Sequence, residues 1–135
     1  MNQGIKMTYK NSEQIKQEVQ RYTELEADSF ADKYAPFRDY VQKIEKRDRR
    51  TLIKAVEGVF HQDNYAGLGL VIYGPIPELA NRLESLLASG DDCLVALAIG
   101  GIGLLNAKQY RNRLKKFKKT QFSREVNLAL KRLNS

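Results

Sequence analysis

A block of about thirty residues recurs in the second half of this chain, and a supersecondary unit of that length can bury its apolar face only by stacking on its neighbours. Asp63-Asn64-Tyr65-Ala66-Gly67-Leu68-Gly69-Leu70 lies over Asp92-Cys93-Leu94-Val95-Ala96-Leu97-Ala98-Ile99 at an offset of 29, and the small-apolar pattern returns as Val126-Asn127-Leu128-Ala129-Leu130. Leu79, Leu83, Leu86 and Leu87 stand over Leu52, Val56, Val59 and Phe60 at an offset of 27. Recurrence at this spacing implies helical hairpins laid side by side, and the chain is read as all-α.

Individual segments agree. Asn11 and Ser12 are N-cap residues ahead of the stripe Ile15, Val19, Tyr22 and Leu25, whose opposite face carries Glu13, Lys16, Glu18, Arg21 and Glu24. Residues 1–10 show no periodicity and read as a flexible tail before a leading helix over 11–35, which Pro36 interrupts. A second stripe, Phe37, Tyr40, Val41 and Ile44, runs into the polar turn Lys46-Arg47-Asp48-Arg49-Arg50. Gly74 is placed to end a helix in a left-handed conformation, with Pro77 at the start of the next. Asp63, the Gly90-Asp91-Asp92 run, Asn106 and Ser123 punctuate the later boundaries. The expected layout is one domain with three hairpins near 37–62, 63–89 and 91–119 and a closing helix. One alternative stays open: Leu68 to Tyr73 is an apolar run that would also suit a buried strand.

With these elements in place the chain resembles HEAT-like αα-repeat proteins over roughly residues 37–134, the offset drifting from 27 to 31. That resemblance implies a short αα-superhelix in which a first helix of small and branched residues packs on a second helix with a leucine stripe.

Chemistry-bearing residues are few. His61 is the only histidine and Cys93 the only cysteine, so neither a histidine metal cluster nor an internal disulfide is possible. Cys93 opens an apolar run and is expected to be a buried structural thiol, while His61 falls at a helix end where its cation would suit the dipole. The carboxylate pairs Glu24/Asp28 and Asp91/Asp92 sit where solvated faces and helix starts are expected. Gly67-x-Gly69 and Gly100-Gly101-x-Gly103 meet neither the dinucleotide fingerprint nor the Walker loop. With Ala96 and Ala98 these glycines read as small residues that let helices approach closely. No catalytic residue, metal or cofactor is expected.

Charge is unevenly spread. There are 11 basic against 9 acidic residues in 1–50, 2 against 4 in 51–90, and 10 against 3 in 91–135. Seven basic residues and no acidic one lie between Lys108 and Lys119; wound as one helix, Tyr110, Leu114 and Phe117 share one face and Lys108, Arg111, Lys115 and Lys118 the adjoining side. The acidic candidates for a partner-facing surface are Glu57, Asp63, Glu78, Glu84, Asp91 and Asp92. The longest uncharged apolar run, Cys93 to Leu105, has 13 residues against the ~20 a spanning helix needs, and the N-terminus has no apolar signal core. A cytoplasmic protein without a membrane partner is expected. A small helical stack without cofactors is similar to bacterial immunity proteins, which implies a cognate toxin whose active site it would occlude. The alternative is a nucleic-acid-binding helical repeat that uses the 108–119 stripe; an enzyme ranks third.

Overall fold

The computed structural model describes the backbone of residues 3–134 and the side chains of residues 12–134. The protein is all-α: eight α-helices and three short 3-10 turns, with no strand among the described residues. The segment 66–73 is therefore helix, which closes the strand alternative. The chain divides into two compact units, Met1–Pro75 and Ile76–Ser135.

The first unit holds α1 (Gln3–Thr23), α2 (Phe30–Lys43), the 3-10 turn Lys46–Asp48, α3 (Arg49–Gln62) and α4 (Asn64–Tyr73). The stripe on α1 is buried as its periodicity requires, at Ile15, Val19 and Tyr22. The boundaries differ from expectation. Helix α1 starts at Gln3, so the expected tail is helical from that residue on, and Met1 and Asn2 lie outside the described residues. It stops at Thr23, well short of 35, where the Thr23 hydroxyl donates to the Gln20 carbonyl at 2.6 Å. Ser29 then caps α2, its hydroxyl accepting from the Asp32 N–H at 3.0 Å.

Pro36 lies inside α2 rather than ending it. Proline removes the donor that would meet the Asp32 carbonyl, but both residues are exposed and water can satisfy that oxygen. Tyr34, Phe37 and Val41 hold the opposite face in the core.

Helix pairing is shifted by one element from the expected hairpins. α1 packs on α2 and α3 packs on α4, with α1 on α3 and α2 on α4 completing the unit. The cause lies in the joints. Asp63 alone separates α3 from α4; its extended backbone (φ −156°) turns the chain, its N–H donates to the Val59 carbonyl, and its carboxylate accepts from the Tyr65 and Ala66 N–H groups. Between α2 and α3 the chain instead runs through extended Ile44 and Glu45 before the 3-10 turn.

The second unit repeats the scheme with the 3-10 turn Pro77–Leu79, α5 (Ala80–Leu86), α6 (Asp92–Leu104), the 3-10 turn Lys108–Tyr110, α7 (Arg111–Lys115) and α8 (Ser123–Leu133). Here α5 packs on α6 and α7 on α8, while α6 and α8 share the largest interface. Asp91 caps α6 as Asp63 caps α4, accepting from the Cys93 and Leu94 N–H groups. Ser123 is the first residue of α8, and no side-chain cap bond forms there.

Left-handed backbone occurs at Gly90 (φ 79°) and Asn106 (φ 56°), not at Gly74, which is right-handed helical (φ −58°). Asn106 ends α6 in a Schellman arrangement: the Ala107 N–H donates to the Ile102 carbonyl at 3.1 Å and the Asn106 N–H to the Gly103 carbonyl at 3.0 Å.

Core positions keep a stricter period than the caps. The 3-10 turns begin at Lys46, Pro77 and Lys108, each 31 residues after the last. The same step links Leu52, Leu83 and Leu114, all 0% exposed, and the buried sets Gly67/Ala98/Ala129 and Val71/Ile102/Leu133.

Three glycines are set by packing. A Cβ at Gly67 would enter the Phe60 ring and one at Gly69 the Tyr34 ring, while one at Gly103 would stand 2.8 Å from the Ala129 Cα. Gly100 differs, because a Cβ there would meet nothing within 4 Å. The expectation for Cys93 also changes: it is exposed, and Leu97 one turn on is half-buried. Cys93 occupies the first turn of α6, on the side away from buried Leu94, Val95 and Ala98.

Gly69→Ala and Gly103→Ala should each destabilise the protein by ~1–3 kcal/mol, because a neighbouring ring or backbone must move. Gly100→Ala should stabilise it by up to ~1 kcal/mol, the helix propensity difference. Urea denaturation midpoints check this, and a loss of stability in Gly100→Ala with none in Gly103→Ala would refute the packing account.

Candidate binding surfaces

The basic segment does not form one helix. Lys108 stands exposed on its own 3-10 turn, α7 covers only Arg111–Lys115, and residues 116–122 continue as overlapping turns, with Lys116, Phe117 and Lys118 each donating to the carbonyl three residues back. The expected stripe is thereby broken up. Arg111 is half-buried and donates through Nη2 to the Leu133 carbonyl at 3.0 Å, tying α7 to the end of α8. Arg113 pairs with Glu84 at 3.1 Å and lies over the Phe117 ring at 5.7 Å. Lys115 and Lys118 remain exposed, joined by Lys116 and Lys119, which the one-helix reading had left off the stripe. Leu114 is fully buried, and half-buried Phe117 meets Phe122 edge-on with centroids 6.2 Å apart.

The acidic candidates are largely engaged by the fold. Asp63 and Asp91 are helix caps, Glu84 holds Arg113, and Glu57 and Glu78 take part in interactions within the chain. Asp92 is exposed in the first turn of α6, where a carboxylate favours the helix dipole. Glu57 and Asp63 belong to the first unit and the other four to the second. His61 is exposed in the last turn of α3, as expected, and Glu24 and Asp28 are exposed. No group of three His, Cys, Asp or Glu residues arranged to hold a metal occurs among the described residues.

Two concavities of the first unit draw on residues that showed no motif. One, of about 650 Å³, lies among α1, the end of α2 and the 3-10 turn Lys46–Asp48, with Glu18, Arg21, Tyr40, Glu45, Arg47 and Asp48 on its walls. Its charges mostly answer one another. Arg21 forks onto Glu18 at 2.8 and 3.1 Å, the Tyr22 hydroxyl donates to the same carboxylate at 2.9 Å, and Arg47 pairs with Glu45 at 2.9 Å. The Arg21 hydrogen bonds hold Glu18 below the usual carboxylate range against the opposing effect of burial. Burial first, then the negative charge of Glu18, pushes Tyr40 up to about 12; burial and Asp63 do the same to Tyr34.

The other concavity, of about 520 Å³, runs between α1 and α3. Its lining includes Ser12, Lys16 and Gln20 on one side and Thr51, Lys54, Ala55, Gly58, Val59 and Gln62 on the other. Among its described lining residues there are cations and no carboxylate.

No helix of the described chain is long and apolar enough to cross a membrane. No family model, curated protein or solved structure matches this chain.

Two outcomes follow from these environments. Cys93 should react with a thiol reagent in the folded protein at close to its rate in denaturant, and strong protection would show that it is covered. Tyr34 and Tyr40 are held neutral in the fold, so their contribution to stability is complete below pH ~10, the ordinary tyrosine value, and is lost as pH rises towards about 12. Denaturation midpoints followed from pH 9 upward should fall across that window, and the fall should shrink in Tyr40→Phe.

Proposed function

We propose that this chain is a non-enzymatic protein-binding module that acts in the cytoplasm by covering the active site of a partner, in the manner of a toxin-immunity protein. The observation that carries the reading is the lysine cluster Lys115, Lys116, Lys118 and Lys119, exposed at the end of α7 and on the α7–α8 connection in a stretch with no acidic residue between Asp92 and Glu125. Such a surface favours an acidic partner. Its supports are fixed: Arg111 is bonded to Leu133, Arg113 to Glu84, and Phe117 is held between Arg113 and Phe122. The acidic residues considered for the contact serve mainly as caps and ion-pair partners, which shifts the proposed contact to the basic side.

Nucleic acid is the second reading, favoured by the same lysines. A phosphate grip needs only such charges, whereas single strands also use aromatic stacking platforms. Phe117 offers none, having an arginine over its face and a phenyl edge against it.

The protein fixed to a resin and challenged with host lysate at ~0.15 M salt should retain a defined protein. Charge reversal of Lys115, Lys116, Lys118 and Lys119 to Glu should weaken its retention by about 100-fold or more, like-charge contacts costing several kcal/mol. Retention of duplex DNA or RNA instead, with log affinity falling by about 0.9 per phosphate contact against log salt, would establish the second reading.

A further inference from the structure

Helix-interior glycines cost about 1 kcal/mol against alanine, so each needs a reason. Gly67, Gly69 and Gly103 have one, since a Cβ at each would collide with a ring or with backbone. Gly58, like Gly100, has none inside the fold: it lies within α3, is exposed, and a Cβ there would meet nothing within 4 Å, but of the two it is Gly58 that lines a described groove. It lines the α1–α3 groove, where its missing side chain leaves room. A glycine kept where the fold has room for a side chain fits a site that another backbone must approach closely.

The walls state the chemistry of the visitor. Lys16 and Lys54 are exposed, and neither has an ion-pair partner among the described residues. Ser12 and Thr51 add hydroxyls and Gln20 and Gln62 add amides, while the acidic neighbours Glu13 and Glu57 are not part of the lining. The site is also long. Ser12, Lys16 and Gln20 follow one another at four-residue steps, and the α3 wall runs from Thr51 to Gln62, which at 1.5 Å per residue spans ~12 and ~16 Å. An elongated cleft between two helices, with the small residues Ala55 and Gly58 on its α3 side, fits a third helix laid along it.

We propose that the α1–α3 groove is the docking site for an acidic helical segment of a partner protein, whose carboxylates meet Lys16 and Lys54 while its backbone closes on Gly58. The proposal rests on the protein-binding reading above but places a contact in the other unit of the chain, apart from the lysines of the α7–α8 connection. Those lysines give the experiment its internal reference.

The probe is a capped alanine peptide of about ten residues, the helix length that matches the groove, with glutamate at every fourth position. Titrated into isotope-labelled full-length protein, it should shift the backbone amides of Lys16, Thr51, Lys54 and Gly58, and the same peptide with glutamine for glutamate should not. Gly58→Leu should fill that room and abolish the groove shifts, leaving any at Lys115–Lys119 intact; the helical circular dichroism should be unchanged, since the added side chain starts in open space. A Lys16→Glu, Lys54→Glu double variant should lose the same shifts without touching Gly58.

Shifts confined to Lys115–Lys119, equal shifts in Gly58→Leu, or equal shifts with the glutamine peptide would overturn the proposal. So would inorganic phosphate producing the full groove response on its own, since the site would then be a small-anion site. If the lysate experiment retains no protein while the groove response holds, only the wider functional reading fails. If a protein is retained but the groove is silent, the partner docks elsewhere and this proposal fails alone.

Discussion

Close approach of helices at small residues is the constraint on which the rest of this structure depends. Gly67, Ala98 and Ala129 recur 31 residues apart, all buried, and an added carbon would collide at Gly67 and at Gly103 beside Ala129. Gly67 lies under the Phe60 ring within the α3–α4 pair, and Gly103 touches the backbone of Ala129 within the α6–α8 pair. With helices that near, larger side chains must fill the flanks, and Leu52, Leu83 and Leu114 do so at the same period. Each follows a 3-10 turn, which delivers the next helix to its neighbour at a repeated register.

Much of this was legible in the sequence, and the parts that were not share a physical cause. Helix-period stripes gave α1, α3 and α5 because one face is apolar and the other charged. Asp63 announced its own helix start because a carboxylate before an apolar run has few other uses. Pro36 misled because the cost of a helix proline depends on whether the orphaned carbonyl reaches water, which a linear pattern does not contain. Gly74 misled because a glycine before proline suits several turns. The hairpins were assigned one helix out of phase because the lysine- and arginine-rich run at 46–50 resembles a loop more than the single Asp63 does, yet Asp63 is the sharper turn. The period drifted because apolar residues line up at more than one offset: the leucine stripe matched at 27 and the block from Asp63 matched the block from Asp92 at 29, whereas Leu52, Leu83 and Leu114 and the 3-10 turns before them hold to 31.

Site residues were harder to read for a related reason. A charge is assigned to a surface only once its neighbours are known. Arg111 and Lys115 are equivalent along a helical wheel, but Arg111 is drawn inward by the free carbonyl of Leu133 while Lys115 is left in solvent. Cys93 looked buried because leucines and alanines surround it in sequence, but successive helix residues point ~100° apart, and its side is the wet one. The α1–α3 groove left a single trace in the sequence, the glycine at position 58 in an otherwise regular amphipathic stretch. That trace could not be separated from the packing glycines until the space around each was known.

The distribution of ion pairs carries the functional reading one step further. Carboxylates in the second unit are spent close to home: Asp91 on two backbone donors and Glu84 on an arginine 29 positions along the chain. Lysines, whose flexible stems lose the most entropy when fixed, are left unpaired on the α7–α8 connection and on the walls of the α1–α3 groove. Arginines, with a planar fork that loses less, do the internal tying at positions 21, 111 and 113. A chain that holds itself together with arginine and carboxylate while presenting lysine outward has separated its structural charges from its available ones. The excess of 23 basic over 16 acidic residues lies in the last 45 positions, where ten basic residues stand against three acidic ones.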